Sequence, residues 1–225
     1  MSLEVRGMFD DSLKYFANVI SNNLRNEVQL IEVEEESTQI IARNYVCKYE
    51  LEPEQKISSI EWIQRVSSSN NRKGRGKKRS AHPEDVNHNG LSLPVLAVLL
   101  NSTEVWLFTP GISQPTGKIS TDFPISCISK SYNTENSLLV FDSEHNRLIE
   151  YSLDTLEQTK VISLKSKTSV KSVVGLASDK RKALLVGDHS VSLISLTNTK
   201  NPLITVFSKF EGTISHVHPS YDQQK

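Results

Sequence analysis

The chain has 225 residues, enough to bury a sizeable core as one domain, and its 26 basic and 26 acidic residues balance to a net charge of zero. Its two cysteines, Cys47 and Cys127, are too few for a disulfide framework or a cysteine metal cage. Met1-Ser2-Leu3-Glu4-Val5-Arg6 has no apolar leader character and no run approaches about 18 apolar residues, so an intracellular protein is expected.

In chain order, the first unit spans about residues 3–47. Asp10 gives a helix-start signal, but the alternation over 15–20 fits a strand better, and strands follow at 28–33 and 39–46. A second unit, about 49–120, opens with Ile57-Ser58-Ser59-Ile60 and is interrupted by a basic, Ser/Asn-rich stretch over 66–90. It resumes with apolar strands at 95–100 and 105–108 and a closing strand at 116–120. The third unit, 121–166, opens with Ile125-Ser126-Cys127-Ile128 and predicts further strands at 138–141, 148–153 and 159–164. The fourth, 167–210, opens with Val170-Lys171-Ser172-Val173 and predicts strands at 183–186, 191–196 and 203–208. A fifth begins over 211–220 with Ile214-Ser215-His216-Val217.

The opening motifs are spaced by 68, 45 and 44 residues, and the segments beginning at Val105, Leu148 and Val191 by 43 and 43. Both series give the same period, and the one long step holds the 66–90 insertion. Four short strands per repeat of this length predict an all-β fold, a β-propeller of about four blades plus the first strand of a fifth. The chain is read as part of a larger propeller, with a complete four-bladed ring as the alternative. Asn- and Asp-rich turns at 133–136, 143–146 and 187–189 separate the strands.

Charge is concentrated. Six of the eight residues from 72 to 79 are basic (Arg72, Lys73, Arg75, Lys77, Lys78 and Arg79), which leaves 20 basic against 26 acidic residues elsewhere. The nearly apolar-free insertion cannot build a core and is expected to be disordered. Three readings stay open: a nuclear-import signal, a patch that contacts RNA phosphates by releasing counterions, and a solvated insertion without a role. The insertion contains no aromatic residue, which argues against base stacking.

Other candidates carry structural readings. His216 and His218 alternate on the predicted fifth opening strand, with His82, His88, His145 and His189 in loops, and all are read as structural or solvent-facing rather than metal ligands. Asp142 and Asp188 are placed to bind turn amides, Trp62 and Trp106 to pack, and Cys127 to be a buried thiol. Asn101-Ser102-Thr103 matches a glycosylation acceptor by chance. No Gly-x-Ser-x-Gly, phosphate-cradling Gly-rich turn or His-Glu-x-x-His stands in the sequence, and a non-enzymatic protein without cofactor is expected.

The stretch Phe9-Asp10-Asp11-Ser12-Leu13-Lys14-Tyr15-Phe16-Ala17 resembles the start of fungal nucleolar WD-repeat proteins of the UtpA (t-UTP) subcomplex of the small-subunit processome. The order that follows is similar too: a first strand over 57–62, a charged insertion, then 95–110. The resemblance implies a WD-type propeller and a nuclear, nucleolar scaffold for pre-18S rRNA processing. Its implied partners are other UtpA protein subunits and the 5′ external transcribed spacer of pre-rRNA. It also implies further propeller and a helical region, to which nothing in this sequence corresponds. No unit has a Gly-His opening or Trp-Asp ending; Phe108-Thr109, Tyr151-Ser152 and Ile194-Ser195 stand at the latter place. The alternative reading is a propeller module of another scaffold, such as a vesicle coat or nuclear-pore subunit.

Overall fold

The computed structural model describes residues 4–9, 14–22, 25–36, 39–52, 55–65, 93–165, 169–207, 210–215 and 217. Among them every regular element is a strand. The first sheet contains β1 (Glu4–Phe9), β2 (Tyr15–Asn22), β3 (Arg25–Glu36) and β4 (Gln39–Leu51). The second contains β5 (Ile57–Ile63), β6 (Val95–Leu100), β7 (Glu104–Phe108) and β8 (Gly117–Ser120). The third contains β9 (Ile125–Lys130), β10 (Ser137–Asp142), β11 (Arg147–Ser152) and β12 (Gln158–Ser163). The fourth contains β13 (Ser172–Gly175), β14 (Lys182–Val186), β15 (Val191–Ser195) and β16 (Leu203–Phe207). Each sheet is an antiparallel meander in chain order.

The sheets stack in sequence, because three cores join them pairwise. Ala17, Val28, Leu30 and Tyr49 of the first sheet pack with Leu96, Val98 and Leu100 of the second. Val95, Ala97 and Leu99 on the opposite face of β6 pack with Leu138 and Val140 of the third. Leu139 and Phe141 on the other face of β10 pack with Ala183 and Leu185 of the fourth. Strands β6 and β10 are thus buried on both faces, which explains their continuous apolar sequences. The first strands of successive sheets lie side by side. At Gly175 a Cβ would stand 2.5 Å from the Lys130 carbonyl oxygen, so β13 and β9 converge to a distance only glycine permits there. Stacked four-stranded meanders with neighbouring first strands are consistent with a β-propeller-like fold.

The repeated opening motif has a specific conformation. In β5 the pairing passes from Ile57↔Leu100 to Ser59↔Leu99, leaving Ser58 unpaired, and in β9 it passes from Asp142↔Ile125 to Phe141↔Cys127, leaving Ser126 unpaired. Two residues opposite one is a β-bulge. In a regular strand, residues three apart face opposite sides. The bulge returns them to the same side, so Ile125 and Ile128 both enter the core shared with the second sheet. Ile57 and Ile60 likewise face the first sheet, and Val170 and Val173 share the core between the third and fourth.

Most predicted strands coincide with observed ones, including β2 where a helix start had competed. Three boundaries differ. Tyr49, assigned from sequence to the second unit, pairs with Val28 in the first sheet, because two bulges let β4 follow β3 for 13 residues. Strand β13 begins at Ser172 rather than Val170; the Lys171 amide reaches the Val186 carbonyl at 2.8 Å just before it. Ile214, Ser215 and Val217 are not in a strand. Ile214 is nonetheless held as Ile125 is. The Thr121 and Ile125 amides donate to Thr103 and Ser102 carbonyls at 2.9 and 2.5 Å, in the second sheet's β6–β7 turn. The Phe210 and Ile214 amides donate to His189 and Asp188 carbonyls at 3.0 and 2.8 Å, in the equivalent turn of the fourth.

Deleting Ser126 removes the bulge and turns Ile125 out of its core. Urea unfolding should show a loss of about 2 kcal/mol or more, whereas Ser126→Ala at this exposed position should change stability by less than about 0.5 kcal/mol. Equal stability of the two variants would contradict the assignment.

Candidate functional site

The sequence-predicted site residues Arg72, Lys73, Arg75, Lys77, Lys78 and Arg79 lie outside the described residues, as do His82, His88, His216 and His218. The place from which that stretch departs is described. It joins the end of β5 to the start of β6, at the end of the stack where the β9–β10 and β13–β14 connections also lie. These connections meet around a small cavity of about 200 Å³, lined by Gln64, Lys130, Tyr132, Asn136 and Lys180 among others. At the base of the insertion, Arg65 Nη2 donates to the Leu153 carbonyl at 3.1 Å, tying the departing chain to the third sheet.

The side chains around this cavity differ in freedom. Lys130 is buried, with its ammonium 4.7 Å from the Tyr132 ring centroid, a cation–π contact. Lys180 is exposed. Next to it, Asp179 engages Lys182 at 2.8 Å and Arg181 at 3.6 Å, and the Lys182 hydrogen bond holds its carboxyl below the usual range. Beneath, the buried Glu150 carboxylate accepts a hydrogen bond from Ser131 and faces Lys160 at 3.9 Å. The end of the stack from which the basic insertion departs therefore carries Arg65, Lys130 and Lys180, together with Glu135, whose exposed side chain lines the same cavity. Sequence reasoning missed these residues because each stands alone in its own strand end or turn.

The remaining candidates resolve individually. Asp142 has a fully buried carboxylate that accepts the Glu144 and His145 amides, both at 3.0 Å, His145 Nδ1 at 3.0 Å and Arg147 Nε at 2.7 Å. Burial raises its pKa, but the His145 amide and the Arg147 guanidinium outweigh burial and hold it below the ordinary value. Asp188 has no such role. Its turn is closed by the Gly187 amide on the Ser190 carbonyl at 2.9 Å, and its carboxylate pairs with Lys171 instead. His189 Nδ1 lies 3.0 Å from the Gly212 carbonyl. Trp62 is buried and its Nε1 donates to the Met8 carbonyl at 3.0 Å, joining the first two sheets. Trp106 Nε1 donates to Glu104 at 3.0 Å under the Lys118 ammonium. Cys127 is buried and free, and burial pushes its thiol up to about 11, so it stays protonated and unreactive at neutral pH.

No family model and no curated protein sequence matches the chain. Among solved structures, apo AztD from Citrobacter koseri is similar, with a TM-score of 0.55 at 10% identity. The match covers 93% of this chain and 48% of AztD. At that identity the likeness is one of fold alone.

Asp142 supplies a pH test. A carboxyl whose folded pKa is depressed contributes stability that is present above its unfolded pKa and lost as pH falls through the folded value. Asp142→Asn should cost about 1–3 kcal/mol at pH 7, measured by urea unfolding, and the gap to the parent should shrink progressively below about pH 4. A pH-independent gap would contradict the ionised clasp.

Proposed function

We propose that this protein is a non-enzymatic β-propeller scaffold of the degenerate WD-repeat type, acting in assembly of the small-subunit processome on nascent pre-ribosomal RNA. The observation that carries the reading is the run of six cations within residues 72–79, inserted into an otherwise mildly acidic stack of sheets. The stack offers rigid edges and turn surfaces to other protein subunits. The insertion supplies a nuclear-import address and phosphate contact with the RNA, including its 5′ external transcribed spacer, and locates the protein to the nucleolus.

Two features support a propeller that extends beyond four sheets. The 210–214 segment leaves the fourth sheet by the same pair of backbone hydrogen bonds that carries 121–125 from the second sheet into the third. The apolar motif that follows keeps the 44-residue step. The resemblance of residues 9–17 and of the order of elements over 57–110 to UtpA subunits supplies the assignment to ribosome assembly.

Phosphate contact follows counterion-release arithmetic. Affinity for single-stranded RNA should fall with salt at a log–log slope of up to about −4 for six contacts. Changing Arg72, Lys73, Lys77, Lys78 and Arg79 to Ala should flatten that slope and weaken binding at least tenfold, by about the same factor on every RNA sequence. The import role is read separately, by deleting residues 66–90 and locating the protein in cells. Cytoplasmic protein of unchanged thermal stability is the expected result. Nuclear accumulation of the deletion would refute the import role, and an unchanged salt slope would refute the RNA contact.

A further inference from the structure

The junctions between successive sheets are not equally filled. Between the second and third sheets, Leu156 of the β11–β12 turn packs against the core, with its methyl carbons 3.1 and 3.3 Å from where a Gly117 Cβ would be. Leu156 sits there in a left-handed conformation, φ +61°, which an apolar L-residue adopts only at an energetic cost. Packing into the junction compensates for that strain.

The β15–β16 turn is built on the same plan. Ser152 Oγ accepts the Asp154 and Thr155 amides, and Ser195 Oγ accepts the Thr197 and Asn198 amides. The turns close with the Ser152 amide on the Glu157 carbonyl at 3.0 Å and the Ser195 amide on the Pro202 carbonyl at 2.7 Å. Counted back from that closing bond, the residue that corresponds to Leu156 is Asn201. It does not fill the junction between the third and fourth sheets. A cleft of about 470 Å³ stands there, with Leu164, Leu185, Ile194, Leu203 and Val206 as its apolar walls.

The strand beside this cleft is also unusual. The outermost strands β8 and β12 carry Lys118 and Lys160, the kind of charge that discourages pairing at a free edge. Strand β16 reads Leu-Ile-Thr-Val-Phe without a charge, and its four large apolar residues are 46–53% exposed. Its outer edge has no strand partner among the described residues. Among the described residues the one charged side chain lining the cleft is Lys165, whose Nζ donates to Asn201 Oδ1 at 2.6 Å, and no described carboxylate lines it; Lys200 is adjacent in sequence to Asn201 and exposed.

We propose that this cleft and the β16 edge form a docking site for an extended, acidic segment of a partner protein. The segment adds as a strand to β16 and inserts one leucine-sized side chain where Leu156 lies in the preceding junction, while its carboxylates meet Lys165 and Lys200. Main-chain pairing supplies affinity and the apolar cleft supplies selection, as in strand-addition recognition generally. The site lies on the rim of the stack and does not depend on the role assigned to the basic insertion.

The test uses the complete chain and a fluorescein-labelled peptide, Asp-Glu-Thr-Leu-Thr-Val-Glu-Asp, followed by anisotropy. Saturable binding is expected, lost when the leucine and valine are replaced by aspartate and when the acidic residues are replaced by lysine. Asn201→Leu, which supplies the missing plug, should weaken binding at least about tenfold. Val206→Lys should abolish it, and Lys165→Glu should weaken it severalfold without affecting the fold. Should Asn201→Leu unfold, the two rim variants decide the matter. No saturable binding below about 1 mM, equal binding of the basic peptide, or indifference to all three substitutions would overturn the proposal. So would concentration-dependent dimerisation abolished by Val206→Lys, which would make a second copy the occupant, or competition by RNA.

Discussion

A single backbone irregularity sets the geometry on which the rest of this structure depends: two residues opposite one at the start of the innermost strand. Each sheet of the stack has to present an apolar face to the sheet before it and another to the sheet after it. The bulges at Ser58 and Ser126 put residues one and four of the opening motif on the preceding side, leaving Cys127 to face the following side. With that register fixed, β6 and β10 are buried on both faces, and each large apolar side chain there contributes about 1.5–3 kcal/mol. The same inner strands converge until, at Gly175, the backbone of β9 occupies the space of a side chain.

Much of this was legible in the sequence because the units repeat their own solution. Two independent series of apolar segments share one period, and the strands lie where they predict them except at the last opening motif, where Ile214, Ser215 and Val217 are not in a strand. The bulge was not legible, although its consequence was: the i, i+3 spacing of Ile125 and Ile128 contradicts strand alternation, and only pairing to β10 shows which residue is extra. Tyr49 was misassigned for a related reason. Nothing local says that β4 runs on past the usual strand length; it does so because its partner β3 is long as well, 12 residues against 13.

The candidate sites divide in the same way. Composition exposes the basic run over 72–79, because six cations in eight residues serve no packing purpose. Composition cannot show that Arg65, Lys130 and Lys180 gather at the end of the stack from which that run departs, as they belong to three different sheets. Asp142 and Asp188 look equivalent in sequence, yet Asp142 ends its strand, where the turn amides fold back onto its carboxylate, while Asp188 stands inside a turn of equal length. The cleft beside β16 was least visible of all. It arises from Asn201 standing where the preceding unit has Leu156, a correspondence that appears only once the Ser152 and Ser195 turns are aligned by their hydrogen bonds.

The central claim, that bulged inner strands direct the stacking of sheets, can be read directly from methyl contacts in solution. In a sample labelled at isoleucine, leucine and valine methyls, the Ile125 methyls should show nuclear Overhauser contacts to Leu99 of the second sheet, on the side that Ile128 and Val140 face. Ile57 should contact Leu100 and, in the first sheet, Leu51. Contacts from Ile125 to Leu139 and Leu148, on the side of the fourth sheet, would mean a regular strand without the bulge and would contradict the account.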